Sequence, residues 1–131
     1  MIVEQVSHHP PICAFHIEND DFIYTGWMQV KILLGLSGVK VLMDSKSILT
    51  LKSTQDKFEI IRPYSSVHNV FIGEMFIWNE GRAFCRNLNT GHFCEMFLHP
   101  LGSFQKKDYK ITGFTQNDKG EKDYQIKGSW N

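Results

Sequence analysis

Phe22-Ile23-Tyr24-Thr25-Gly26-Trp27-Met28-Gln29-Val30-Lys31-Ile32-Leu33-Leu34 alternates along most of its length. Phe22, Tyr24, Met28, Val30, Ile32 and Leu34 share one parity, while Thr25, Gln29 and Lys31 mark the other. Successive strand side chains point to opposite faces, so a period of two over this length predicts a long β-strand with one apolar face.

The neighbouring segments follow the same rule. Upstream, Ile12 to Ile17 reads as a strand, turned around by Glu18-Asn19-Asp20-Asp21. Downstream, Gly35 to Gly38 breaks the long strand, and Val39 to Met43, Ile48 to Lys52 and Phe58 to Arg62 read as three more. Asp44-Ser45-Lys46-Ser47 and Ser53-Thr54-Gln55-Asp56 join them. Val67 to Trp78 is apolar on both parities, which predicts a strand covered on both sides. Asn79-Glu80-Gly81 is expected to turn the chain into Arg82 to Leu88. A hairpin at Asn89-Thr90-Gly91 then leads to His92 to Leu98 and sets Cys85 opposite Cys94. After Pro100 a polar loop runs through Lys107, and Tyr109 to Gln116 pairs with Asp123 to Trp130 around Asn117-Asp118-Lys119-Gly120. Only Ala14 and Ala83 are alanine, and no helical period appears. About ten short strands with tight connections predict an all-β antiparallel meander, either a barrel wall or a sandwich.

A length of 131 residues suits one domain or part of one. Fourteen basic residues balance fourteen acidic ones, so no bulk field draws the chain to nucleic acid or an anionic membrane, and phosphate recognition has to be local. Met1-Ile2-Val3 is followed at once by Glu4, unlike a signal peptide, and no apolar run is long enough to cross a bilayer. Three cysteines do not form a disulfide framework; a cytoplasmic location is expected.

The unusual local chemistry is Glu4-Gln5-Val6-Ser7-His8-His9-Pro10-Pro11. Each proline fixes its own φ and keeps the preceding residue extended, so a stiff stretch is expected to hold two imidazoles in set directions. Imidazole titrates near neutral pH and can donate to an anion or bind a metal. The plainer reading is a surface turn with two solvated histidines. Cys85, His92 and Cys94 lack the C-x-x-C spacing of a structural zinc site, and two buried free thiols are the favoured reading. His68 is either a general base or a wall residue, the latter preferred. Acidic residues are scattered, and no nucleophile elbow, P-loop or dinucleotide fingerprint occurs. Lys106, Lys107 and Lys110, beside Phe104 and Tyr109, read as a solvated loop, with membrane-surface contact as the sharper alternative.

Glu4 to Pro11 resembles, at every position, the signature octapeptide of the oxysterol-binding-protein-related family. Val67-His68-Asn69-Val70, Gly91-His92-Phe93-Cys94 and Gly128-Ser129-Trp130 also resemble that family's lipid-binding domain. The resemblance implies that residues 1–131 are the central portion of a single such domain, in which a large antiparallel β-barrel encloses a lipid tunnel. The lid and C-terminal segment of that domain have no counterpart in this sequence. The resemblance further implies lipid binding and intracellular lipid transfer, with a sterol, a phospholipid or another lipid exchanged for phosphatidylinositol 4-phosphate during transient contact with membrane surfaces. His8 and His9 would hold the 4-phosphate, and affinity would fall as pH rises from about 6 to 8. No catalytic residue, metal, cofactor or nucleic-acid partner is implied. A phosphoinositide-binding scaffold without transfer is the alternative, and a histidine-dependent phosphoinositide phosphatase a weaker one. A barrel wall cut at both sides leaves two unpaired edges, so these residues alone are expected to aggregate.

Overall fold

The computed structural model describes residues 1–35, 38–101 and 108–131. The strands are β1 (Ile2–His8), β2 (Pro11–Glu18), β3 (Phe22–Gly35), β4 (Gly38–Leu51), β5 (Lys57–Ile61), β6 (Tyr64–His68), β7 (Phe76–Asn87), β8 (Phe93–Leu98), β9 (Lys110–Gln116) and β10 (Lys122–Ser129). All pair antiparallel in one sheet with the order β1-β2-β3-β4-β5-β7-β8-β9-β10. The exception is β6, which pairs with β4 and β7. Gly38–Val41 of β4 binds β6, and Ser47–Thr50 of the same strand binds β5. Thus β5 and β6 lie end to end between two long strands, interrupted at Arg62-Pro63, where proline supplies no ladder donor.

Long β3 forms as its alternation predicts, with Phe22 through Gly35 paired to Leu51 through Gly38. The structure changes three other expectations. Val39 to Met43 and Ile48 to Lys52 belong to one strand, because Ser45 and Ser47 pair with Met28 and Gly26 rather than turning the chain. Ser47 is buried and its hydroxyl donates to the Ile60 carbonyl at 3.1 Å, which satisfies a polar residue inside a strand. Val67 to Trp78 is not one strand. Asn69 (φ 58°) and Gly73 (φ 93°) break it, and Asn69 Nδ2 donates to the Glu74 carbonyl at 3.1 Å. The apolar residues of the break are uncovered rather than sandwiched: Phe71 is 77% exposed and Ile72 87%. Conversely, Asn79-Glu80-Gly81 does not turn; β7 runs through it, with Gly81 at φ 99° against the Tyr64 ring. A Cβ at Gly81 would meet that ring at 2.6 Å, so glycine answers both the dihedral and the packing. The polar loop with Lys106 and Lys107 lies outside the described residues.

Register separates two faces. The apolar one carries Phe15, Met28, Phe58, Cys85, Met96 and Ile126. Among paired strand residues on this side, none is Asp, Glu, Lys or Arg. The opposite face is mixed, with Lys46, Glu59, Arg86 and Lys127. It is covered at one corner, where Trp78 (0% exposed) packs with Tyr109 and Trp130 at centroid distances of 4.8 and 5.3 Å. Trp78 Nε1 donates to the His99 carbonyl at 3.1 Å, so its one polar atom is satisfied. The total accessible surface is 8969 Å², against about 7,100 Å² for a monomer of this mass. The excess reflects a sheet with little laid over its apolar side.

Candidate functional site

His9-Pro10 forms the two-residue turn of the β1–β2 hairpin, with His8 paired to Pro11. The two imidazoles are therefore held by a hairpin end rather than by an extended run. Both are exposed, and neither ring has a hydrogen-bond or ion-pair partner among the described residues. Backbone placement, not side-chain contact, directs them. Gln5 pairs with Cys13 but Ser7 pairs with Ile12, leaving Val6 as an unpaired bulge residue. Without the bulge, His8 would share the side of Glu4. With it, His8 joins Pro11, Cys13 and Phe15 on the apolar side, the re-aiming for which bulges are known.

The β3–β4 hairpin continues past this turn. Ile12 pairs with Gln29, and β3 runs on to Gly35, about 20 Å further along the strand. On that overhang Ile32 is 64% and Leu34 81% exposed. Alternate residues thus carry an uncharged apolar strip from the histidine turn to the sheet end. Across the sheet, the apolar side also holds a hollow of about 450 Å³ lined by Phe58, Cys85, Cys94, Thr115 and Tyr124, among others.

One polar chain crosses the apolar side. Arg62 Nη2 donates to Tyr24 Oη at 2.8 Å, Tyr24 Oη donates to Ser47 Oγ at 3.0 Å, and Ser47 Oγ donates to the Ile60 carbonyl. Sequence reading missed it: Tyr24 counted as an apolar-face residue and Ser47 as a turn residue. Only the pairing of β3, β4 and β5 brings them together.

The other sequence candidates are structural. Cys85 and Cys94 are cross-strand partners, as the hairpin register predicted. Burial pushes the Cys85 thiol up, with the nearby Cys94 adding a smaller contribution in the same direction. His68 stacks on Phe76 at 5.0 Å and its Nε2 lies 2.9 Å from Ser66 Oγ, the geometry of a wall residue. His92 Nδ1 contacts Thr90 Oγ1 at 3.0 Å, and His92 lines the same hollow as the two thiols. Among the described residues, no three His, Cys, Asp or Glu side chains converge on a metal-sized site, and no helix is long and apolar enough to cross a membrane.

Comparison with known proteins gives the arrangement its context. The family described as Oxysterol-binding protein matches residues 1–131. Human oxysterol-binding protein-related protein 2 is 36% identical over 98% of this chain, which spans 27% of that protein's length. Arabidopsis thaliana oxysterol-binding protein-related protein 3C is 32% identical over 99% of the chain, which spans 28% of its length. Among solved structures, the Osh1 ORD domain in complex with ergosterol superposes with a TM-score of 0.82 at 27% identity, covering 98% of this chain and 31% of that one. The Osh3 ORD of Saccharomyces cerevisiae in complex with PI(4)P shares the fold, with a TM-score of 0.66 at 18% identity, over 95% of this chain and 39% of that one. The sheet described above therefore corresponds to part of the Osh1 ORD β-barrel. With a family match along its whole length, an octapeptide at a bulged hairpin and an uncharged apolar sheet face, the chain belongs to the oxysterol-binding protein family.

Proposed function

We propose that residues 1–131 are the central portion of a lipid-binding domain that carries a sterol or another lipid between membranes and exchanges it for phosphatidylinositol 4-phosphate. The function is carriage without covalent chemistry, at the cytoplasmic surface of membranes. The apolar face shelters the lipid body, at about 25 cal/mol per Å² of apolar surface removed from water. His8 and His9 hold the 4-phosphate at the rim by ring N–H donation, which is strongest when the acceptor is charged. The observation that carries the reading is the bulge at Val6, which turns His8 to the uncharged apolar side next to the exposed Ile32–Leu34 overhang. The ligands of the Osh1 and Osh3 structures, ergosterol, cholesterol and PI(4)P, supply the ligand classes.

The test is liposome-to-liposome transfer by the full-length protein and its His8→Ala/His9→Ala variant. Both histidines are exposed, so the variant should fold with stability within about 0.5 kcal/mol of the original. It should lose phosphoinositide extraction while keeping neutral-lipid extraction. Unchanged phosphoinositide extraction by the variant would remove the histidines from the site. Release of inorganic phosphate would replace carriage by catalysis.

A further inference from the structure

Positive charge collects on the outer side of the last four strands, although the chain as a whole is neutral. Register places Arg82 and Arg86 of β7 on the same side as Lys122 and Lys127 of β10, and all four are exposed. Two acidic side chains share that parity on these strands. Glu95 is ion-paired with Arg82, and Glu80 is buried. Glu121 and Asp123 lie at the end of the β9–β10 hairpin, where both accept from Asn117 Nδ2.

Aromatic rings lie beneath these cations. The Arg86 guanidinium stands over Phe84 and Phe93 at 5.1 and 5.6 Å, and Lys122 Nζ over Phe114 at 4.1 Å. Each ring attracts the cation to its face and keeps it on the solvent side of the sheet. A cleft of about 420 Å³ opens on this side, lined by Phe97, Phe114, Lys122 and Lys127 among others, with Phe97 itself 39% exposed.

We propose that this outer face docks onto an anionic lipid bilayer, with headgroup phosphates and carboxylates as its ligands. Cations backed by aromatic rings match the headgroup layer, where amphipathic rings and basic side chains both settle. The four cations are spread over strands separated by roughly 14 Å, a spacing that suits a diffuse sheet of charge rather than one acidic side chain. The face lies at the other end of the strand order from the His8–His9 hairpin. It uses none of the residues assigned to phosphoinositide exchange and stands independently of that reading.

The experiment is co-sedimentation of full-length protein with phosphatidylcholine vesicles, with and without phosphatidylserine and free of phosphoinositides. The proteins compared are wild type, Arg86→Glu/Lys122→Glu/Lys127→Glu and His8→Ala/His9→Ala, each checked for native circular dichroism. Arg86→Gln/Lys122→Gln/Lys127→Gln replaces the reversal if that variant does not fold. Wild type and the histidine variant should bind the phosphatidylserine vesicles alike, and the triple variant about tenfold more weakly or worse. Wild-type binding should also fall as salt rises from about 0.1 M to about 1 M, where screening shortens from roughly 10 Å to roughly 3 Å. Equal vesicle binding by the triple variant and wild type overturns the proposal, as does wild-type binding indifferent to phosphatidylserine. A triple variant that keeps vesicle binding but loses a polyglutamate peptide assigns the face to an acidic protein and likewise overturns it.

Discussion

Val6 decides which side of the sheet His8 occupies. Counting by twos from Val3, His8 falls with Glu4; the bulge places it with Val3 and Gln5 instead. The octapeptide was legible as a motif, but this reversal was not, because a bulge is defined only against the partner strand. Cys85 gives a direct chemical test at the same scale. Burial holds its thiol above the ordinary range, so less thiolate is present at neutral pH. Iodoacetamide should alkylate Cys85 more slowly than free glutathione at pH 8, with the rate still climbing above about pH 9. Faster labelling than glutathione would contradict the burial. Two carboxyls are shifted the other way. Lys52 and then His16 hydrogen-bond Glu18, and Thr54 and then Asn87 hydrogen-bond Asp56, lowering them from 4.5 and 3.8. A depressed folded-state pKa means that the unfolded chain binds more protons in acid. Both groups therefore contribute stability above those values and lose it as pH falls through their folded-state pKa. The melting temperature of the full-length protein should decline on acidification below about pH 4.5, less steeply in Lys52→Ala. An unchanged slope in that variant would remove Lys52 from the account.

Among the elements, β7 is where local sequence and tertiary structure disagreed most. Its apolar residues on both parities suggested a doubly covered strand from Val67 to Trp78. In fact the strand begins at Phe76 and runs through Gly81 to Asn87, while 69–75 is irregular. The turn-like Asn79-Glu80-Gly81 stays extended because Tyr64, Ser65 and Ser66 of β6 pair with Glu80, Asn79 and Trp78. Pairing thus overrides local turn preference. Trp78 fixes this end of the strand by closing the corner with Tyr109 and Trp130, whose rings are 4.9 Å apart. Trp78→Ala should cost about 3–5 kcal/mol, the range for emptying a buried aromatic site. Denaturant unfolding of the full-length variant measures it, and a loss under about 1 kcal/mol would show that the corner collapses without cost. Close backbone approach at β9 is equally specific: a Cβ at Gly113 would clash with the Glu95 carbonyl oxygen across the ladder.

For the molecule as a whole, the decisive quantity is apolar surface left in water. Ile32, Leu34, Phe71, Ile72, Met75 and Ile77 are all more than half exposed, and edge strands β1 and β10 each pair on one side only. The 131-residue polypeptide by itself is expected to self-associate and to bind a hydrophobic dye strongly. Size-exclusion chromatography with light scattering and a thermal melt check this; a monomeric, cooperative unfolding transition without dye binding would refute it. The antiparallel all-β class was fixed by the sequence of residues alone, since alternation along Phe22–Leu34 follows from the covalent geometry of an extended chain. The family, too, was readable from eight consecutive residues, Glu4–Pro11. Tertiary structure alone decided which parity lies uncovered, how β5 and β6 share one track, and how the Tyr24–Ser47 chain assembles. It also gathered Arg82, Arg86, Lys122 and Lys127 on one side of a chain whose total charge is zero. The physical reason is range: a strand's period is set between neighbours along the backbone, whereas register, bulges and charge segregation arise between residues tens of positions apart.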